Sequence, residues 1–453
     1  MSDHVIEKII STHGPWIDRT VAIPRGEYAG RWERVQKAMR QKGYDLGYAC
    51  GSELDRSDVA WLAGVFDPII ERYGILVPAH GKPVVVAGSE GGHVIADCVK
   101  ASGAEIALLR EYQISDEDYR FATFGTLEDL VYRLVPFRPG RAIKIALFSS
   151  GQFIPHDHVA MFKGRFGADN VVFDLELLRL IKYEKSVAEL KVTGVANHIA
   201  DAAFLAMLAV LKPGVRELDV AAAADYVMKR LGAGRTGFPT IVSSGPRGRT
   251  VLGPATNRTI RKGEFVSLGI SPAFNGYHGI MRRTVKVGAS WTRQEKAFMG
   301  ALEGLYHVVI RATAEAARKD PPSLSIDRKG KKYLEKTKVR DNRGRRLTPR
   351  EPYTFIHNTG CSECQEGYGA VTPYSENRLA KNAALMIDVA FMGFDEKHEL
   401  VFPVEYAVIE DSFWKKGKNI GVYNRVPLAV QDLVAKDLPD IPAVRVNPYY
   451  KPV

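Results

Sequence analysis

Residues 265–288 read FVSLGISPAFNGYHGIMRRTVKVG, a stretch whose apolar runs and alternations have the period of β-strands. Two arginines, Arg282 and Arg283, interrupt an otherwise apolar strand pattern. Tyr277 and His278 occupy successive strand positions, so their side chains are expected on opposite faces of a sheet. Strands of this kind, with no crossover helix between them, predict antiparallel pairing.

Working outward, FPTIVSSG at 238–245 predicts a preceding strand, and TFIHNTG (354–360), ALMIDVAFMG (384–393) and FPVEYAVIED (402–411) predict further ones. Long segments of helical period lie between and before them. SVAELKVTGVANHIADAAFLAMLAVL runs from Ser186 until Pro213 and Gly214 break it. ELDVAAAADYVMKRLGA opens with Glu217 and Asp219, acids favoured at a helix N-terminus. WTRQEKAFMGALEGLYHVVIRATAEAA gives a third helix from residue 291. Helices gathered beside an antiparallel sheet predict an α+β domain over 179–425, with 426–453 as a tail.

Upstream the regime changes. RWERVQKAMRQKG (31–43) predicts an amphipathic helix stopped by Gly43, and DLGYAC, YGILVP, KPVVVAG, IALLREY, IKIALFSS and VVFDL predict strands. Helical stretches at 91–103 and 126–135 alternate with them, so an α/β domain is expected over 25–178, after an extended lead-in at 1–24. The chain of 453 residues suits two or three domains. Four cysteines do not make a disulfide framework, and no basic start followed by an apolar core opens the chain, so a reducing cytoplasm is expected. No run suggests a membrane span. Much of the net charge of +11 falls between Arg328 and Arg350, read as a solvated hairpin or loop; without an accompanying nucleic-acid motif, nucleic-acid binding is not expected.

In its order of segments the chain resembles the creatinase/aminopeptidase P family, whose catalytic domain has the pita-bread fold. RLIKYEKSVAELKVTGVANHIADAAF resembles the entry helix, LKPGVRELDVAAAADYVMKRLGA its successor, and NGYHGIMRRTVKVG ends in the family's Arg-Thr pair, Arg283 and Thr284. HNTG stands at the His-x-x-Gly position and EYAVIED at the last glutamate strand, while ERYGILVP and VVVAGSEGGHV resemble the creatinase N-terminal domain. The resemblance implies an α/β N-terminal domain, an α+β pita-bread domain and a homodimer acting on a small-molecule substrate.

It also implies a site. The family's metallopeptidases hold two metal ions with two aspartates, a histidine and two glutamates, because close-lying cations need anions between them. Counting back from Arg283-Thr284, the aspartate positions are Gly269 and Ile280, which offer no side-chain ligand. His357 matches the histidine, Asp388 the first glutamate and Glu405 the last. Neither metal nor other cofactor is therefore expected. Creatinase, which lacks the metals and cleaves a C–N bond with histidine and carboxylate groups, is the nearest precedent. Its catalytic histidine falls at Leu252, its substrate-facing glutamate at Arg282 and its carboxylate-gripping arginine at Glu71. Creatine is thus not the expected substrate.

The resulting expectation is a metal-independent hydrolase with His357, Asp388 and Glu405 as acid–base groups and Glu71, Tyr277, His278, Arg282 and Tyr406 facing the substrate. Two alternatives stand beside it: a single metal on the same trio, and a catalytically inactive binding module with the trio held by ion pairs to Arg282 or Arg283. Cys361 and Cys364 form a C-x-x-C pair after His357, read as two reduced loop cysteines rather than a metal or redox site.

Overall fold

The computed structural model describes residues 2–64, 67, 70–114, 123–136, 138–364 and 366–453. The chain forms two compact units. One comprises residues 22–184 with 360–368, the other residues 1–21, 185–359 and 369–453.

The first unit is α/β. Its six-stranded mixed sheet runs Glu105–Leu108, Val84–Ala87, Tyr73–Pro78, Leu46–Gly51, Ile145–Leu147, Val171–Phe173. The central strands Leu46–Gly51 and Tyr73–Pro78 are buried along their full length, which is why they read as continuous apolar runs. The helix Arg25–Lys42 ends where Gly43 takes a left-handed conformation (φ 75°). Lys182, fully buried, is held by Asp58 (2.9 Å) and Glu366 (3.3 Å). The 360–368 segment that carries Glu366 also carries buried Cys361 and exposed Cys364.

The second unit is built on an antiparallel sheet. Its strands are β1 (Ile241–Ser244), β2 (Phe265–Ile270), β3 (Met281–Lys286), β4 (Ile356–Asn358), β5 (Asn382–Met392), β6 (Tyr406–Lys416) and β7 (Asn419–Val422). Their order is β4-β5-β6-β3-β2-β1, with β7 paired to β6. Long helices cover the sheet, and their starts are written in the sequence. Ser186 with Glu189 and Thr292 with Glu295 each form a reciprocal capping box, opening helices Val187–Val210 and Arg293–Lys319. Val187–Val210 is long and apolar enough to cross a membrane, but most of it is buried in this unit.

Two local expectations are corrected. The lead-in is not extended: Ser2–His13 is a helix, because Val5, Ile9 and Ile10 recur at helical spacing and are buried. The basic segment is not only a hairpin. It begins in the helix Leu324–Lys336, whose Ile326 and Leu334 are buried, and only then reaches the short ladder Val339–Arg340 with Arg346–Leu347.

Asp201 in Val187–Val210 gives a stability prediction. One carboxylate oxygen accepts the Arg425 backbone N–H (2.8 Å) while the other has no partner. Burial pushes its pKa from 3.8 to about 7. The folded chain thus keeps a proton that the unfolded chain releases at lower pH. Stability is full below the unfolded pKa and is lost as pH rises through about 7. Asp201→Asn is therefore expected to unfold later than the wild type at pH 9, by about 2 kcal/mol relative to their difference at pH 5. Urea melts at the two pH values test this, and an unchanged difference refutes it.

Candidate active site

Strand register brings the site together. Gly269 on β2 lies opposite Arg282 on β3, Arg282 opposite Glu410 on β6, and Glu410 opposite Asp388 on β5. Directly paired residues share a face, so these four form one row across four strands. His357 on β4 pairs with Met386, two residues before Asp388, and so projects from the same face.

The row is held by short-range polar contacts. His357 Nε2 lies 3.5 Å from Glu410 Oε1. Arg282 Nη1 donates to Glu410 Oε2 (3.4 Å) and lies 3.7 Å from Asp388 Oδ2. Its Nη2 donates to the Tyr406 hydroxyl (3.0 Å) and the Val251 carbonyl (2.8 Å). Tyr353 donates to Asp388 Oδ1 (3.0 Å) and shares a hydrogen bond with Tyr406. Arg282, Asp388, Glu410 and Tyr406 are buried; His357, with 19% of its side chain exposed, is the open member.

Burial dominates the electrostatics. It pushes the Asp388 pKa up to about 8, helped by neighbouring Glu410 and opposed by Arg282, His357 and the Tyr353 hydroxyl. Burial works against the charge on Arg282 too, but Tyr406, Tyr353, Asp388 and Glu410 together hold its pKa well above the ordinary value. Burial likewise raises the Tyr353 and Tyr406 phenols, which remain donors.

The Val251 carbonyl reaches Arg282 from an unusual turn. Val251 has φ 61° and ψ −54°, and Leu252 N–H donates back to the Thr250 carbonyl at 2.6 Å. This is a γ-turn centred on a β-branched residue, a geometry that stores about 1–3 kcal/mol. Leu252 itself is largely exposed and has no proton-transfer group.

Several sequence expectations are displaced. Glu405 does not join His357 and Asp388: it precedes β6, is half-buried beside Gly248, and the glutamate facing Asp388 is Glu410. Burial there pushes the Glu405 carboxyl up. Glu71 holds a local backbone contact. It is buried in the first unit, where it accepts the Gly91 N–H (2.7 Å) in the first turn of helix Ser89–Ser102. Tyr277 donates to Glu189 Oε1 (3.0 Å), bracing the capping box of the long helix. His278 is fully buried beside it in the two-residue strand Tyr277–His278. Arg282, by contrast, stands in the row itself, and the Tyr406 hydroxyl accepts from it (3.0 Å). Tyr353, absent from the sequence expectations, lies in EPYTF outside any strand and had no pattern to mark it. Glu410 did have a signal: VIEDSF puts two consecutive acids inside an apolar strand.

These residues do not fit a metal pair. The two aspartate positions offer glycine and isoleucine, and the Ile280 backbone N–H is taken by Asn197 Oδ1 (3.1 Å). A Cβ at Gly269 would lie 2.9 Å from Arg282 Cγ and 3.2 Å from Ile241 Cβ, so the arginine stem fills the place of a side chain there. Asp388 and Glu410 already face a cation, the Arg282 guanidinium.

Residues 193–413 match metallopeptidase family M24. An Xaa-Pro dipeptidase of Pyrococcus furiosus is 27% identical over 238 residues, covering 52% of this chain and 63% of that protein. YqhT of Bacillus subtilis, described as an uncharacterized peptidase, is 34% identical over 155 residues, 34% of this chain and 41% of the relative. The chain thus matches less than two thirds of the length of these relatives. Among solved structures, the prolidase of Pyrococcus horikoshii superposes with a TM-score of 0.68 at 17% identity, covering 89% of this chain and all of that one. Dipeptidase PepE of Mycobacterium ulcerans gives 0.68 at 20% identity, covering 90% and 99%. At these identities the superpositions establish the shared fold.

Proposed function

Residues 193–413 are a Peptidase M24 domain of the creatinase/aminopeptidase P family, and we propose that it serves a hydrolase that cleaves a C–N bond of a small polar compound with protein acid–base groups alone. The observation that carries this reading is the placing of a partly open histidine and a buried acid on one face of the sheet. His357 and Asp388 project from one face, and Glu410, opposite Asp388 on the next strand, brings a carboxylate oxygen to 3.5 Å from His357 Nε2.

The division of labour follows from the environments. His357, the partly open member, takes a proton from the attacking water, and Glu410 stabilises the imidazolium so formed. Asp388 holds a proton up to about pH 8 and gives it to the departing nitrogen. The water oxygen forms the new bond to carbon as the C–N bond breaks. Tyr353, donating to Asp388, orients the acid. Corrected in this way, the acid–base set is His357, Asp388 and Glu410, with Arg282 and Tyr406 beside it. A homodimer in a reducing cytoplasm belongs to the same proposal.

Creatine remains a poor candidate, for a reason that no longer involves Glu71. Its guanidinium would approach the Arg282 guanidinium, and like charges at close range cost several kcal/mol of binding. A screen of small amides, ureas and N-substituted amino acids, read by released amine or ammonia, tests the proposal. At least one compound is expected to turn over at a rate unchanged by a chelator. Hydrolysis confined to Xaa-Pro dipeptides, abolished by chelation and restored by manganese, would overturn it in favour of the activity named for the archaeal relative.

A further inference from the structure

We propose that Arg282 is the resident cation of this site: its guanidinium performs the charge-balancing role of a bound metal and closes the row to divalent ions. This rests on the acid–base reading only for where the site is, since it concerns binding and not turnover.

Three observations carry it. First, the register places Arg282 between Gly269 and Glu410, with Asp388 beyond. The guanidinium thus stands beside both carboxylates, 3.4 Å from one and 3.7 Å from the other. Second, the row is shaped around it. The Arg282 stem lies 2.9 Å from where a Cβ at 269 would stand, so a side chain at 269 would require that stem to shift. Third, the guanidinium is clamped from other directions, by the Tyr406 hydroxyl and by the Val251 carbonyl. That carbonyl is aimed by a backbone turn that valine adopts only under strain.

A guanidinium differs from a metal in ways that matter. It stays charged at every accessible pH, has donors but no open coordination position, and cannot be stripped by a chelator. It therefore keeps two buried carboxyl groups together as a bound ion could, without a Lewis-acid site. Removing its charge frees Asp388, Glu410 and His357, a set of two carboxylates and an imidazole that suits one divalent ion.

Melting temperatures with and without ~1 mM Mn²⁺ test this in wild type, Arg282→Lys and Arg282→Gln. Wild type and Arg282→Lys are expected to be unmoved. Arg282→Gln is expected to melt lower and to recover at least ~3 °C on adding Mn²⁺, the shift for an ion held well below the added concentration. His357→Ala in the Arg282→Gln background should remove that recovery. A folded Arg282→Gln protein that ignores Mn²⁺ refutes the proposal. Should the glutamine variant fold under neither condition, calorimetry on the wild type decides. Saturable Mn²⁺ or Zn²⁺ binding below ~100 μM, lost in His357→Ala, sinks the proposal; its absence supports it. None of these readings requires a substrate, so a failed activity screen leaves them standing.

Discussion

His357→Ala and Asp388→Asn are each expected to slow turnover at least ~100-fold, the lower end for losing a positioned base or acid, while Glu405→Gln changes it less than ~3-fold. The contrast follows from geometry. His357 and Asp388 project from one face of the sheet, whereas Glu405 precedes β6 and packs by Gly248. Glu410→Gln should fall with the first group, because Glu410 lies 3.5 Å from His357 Nε2 and loses its charge in the variant. The pH profile separates the roles. An acid with pKa near 8 donates only while protonated, so the wild-type rate should decline as pH rises past about 8. In Asp388→Asn the residual rate should lose that alkaline decline, since asparagine has no proton to release. Steady-state rates for any substrate found by screening, with circular dichroism to confirm folding, decide the matter. Equal losses in Glu405→Gln and Glu410→Gln would show that the strand register does not define the reacting set.

The sequence marks Asp388 more sharply than Glu410, for a physical reason. Asp388 is flanked by Met386, Ile387 and Val389, and an acid in such company must be paired or protonated. The resemblance puts the last glutamate in EYAVIED, a segment with two glutamates, Glu405 and Glu410. Only the register distinguishes a residue before the strand from one inside it, and register depends on a pairing between residues far apart in sequence. Tyr353 was invisible for the same reason: its hydroxyl meets Asp388 and Tyr406 from outside any periodic element. Glu71 shows the converse error. An exchange of charge suggested a ligand contact, yet the carboxylate is spent on a helix N-terminus, where the orphan N–H groups attract anions irrespective of function. The fold itself was easier to read. The Pro213-Gly214 stop and the alternation of strands are local signals, and the helix Val187–Val210 ends just before that stop.

The largest expected loss of stability lies one residue from Arg282. Arg283→Met should lower the unfolding free energy by about 3–5 kcal/mol, the usual cost of removing one partner of a buried ion pair. Arg283 faces away from the row and donates to Asp411 Oδ1 at 2.8 Å, both residues being fully buried. It also donates to the Glu410 carbonyl (2.8 Å) and the Pro427 carbonyl (3.1 Å), tying β3 to β6 and to the segment beyond β7. Methionine fills the volume but leaves Asp411 with only the Tyr306 hydroxyl (2.8 Å) and Asn447 (3.3 Å). Burial already raises the Asp411 pKa, and Arg283 is the main influence opposing it. Without the arginine the folded variant must bind a proton that the unfolded chain has lost, so its stability falls as pH rises through the raised folded pKa. The gap from wild type should therefore widen between pH 5.5 and 8.5. Arg283→Met combined with Asp411→Asn should recover part of the loss, because no buried charge is then left unpaired. Urea unfolding of the three proteins at both pH values tests this directly. A single-variant loss below about 1 kcal/mol, or a double variant no more stable than Arg283→Met, would mean that the charge on Asp411 is not what Arg283 offsets.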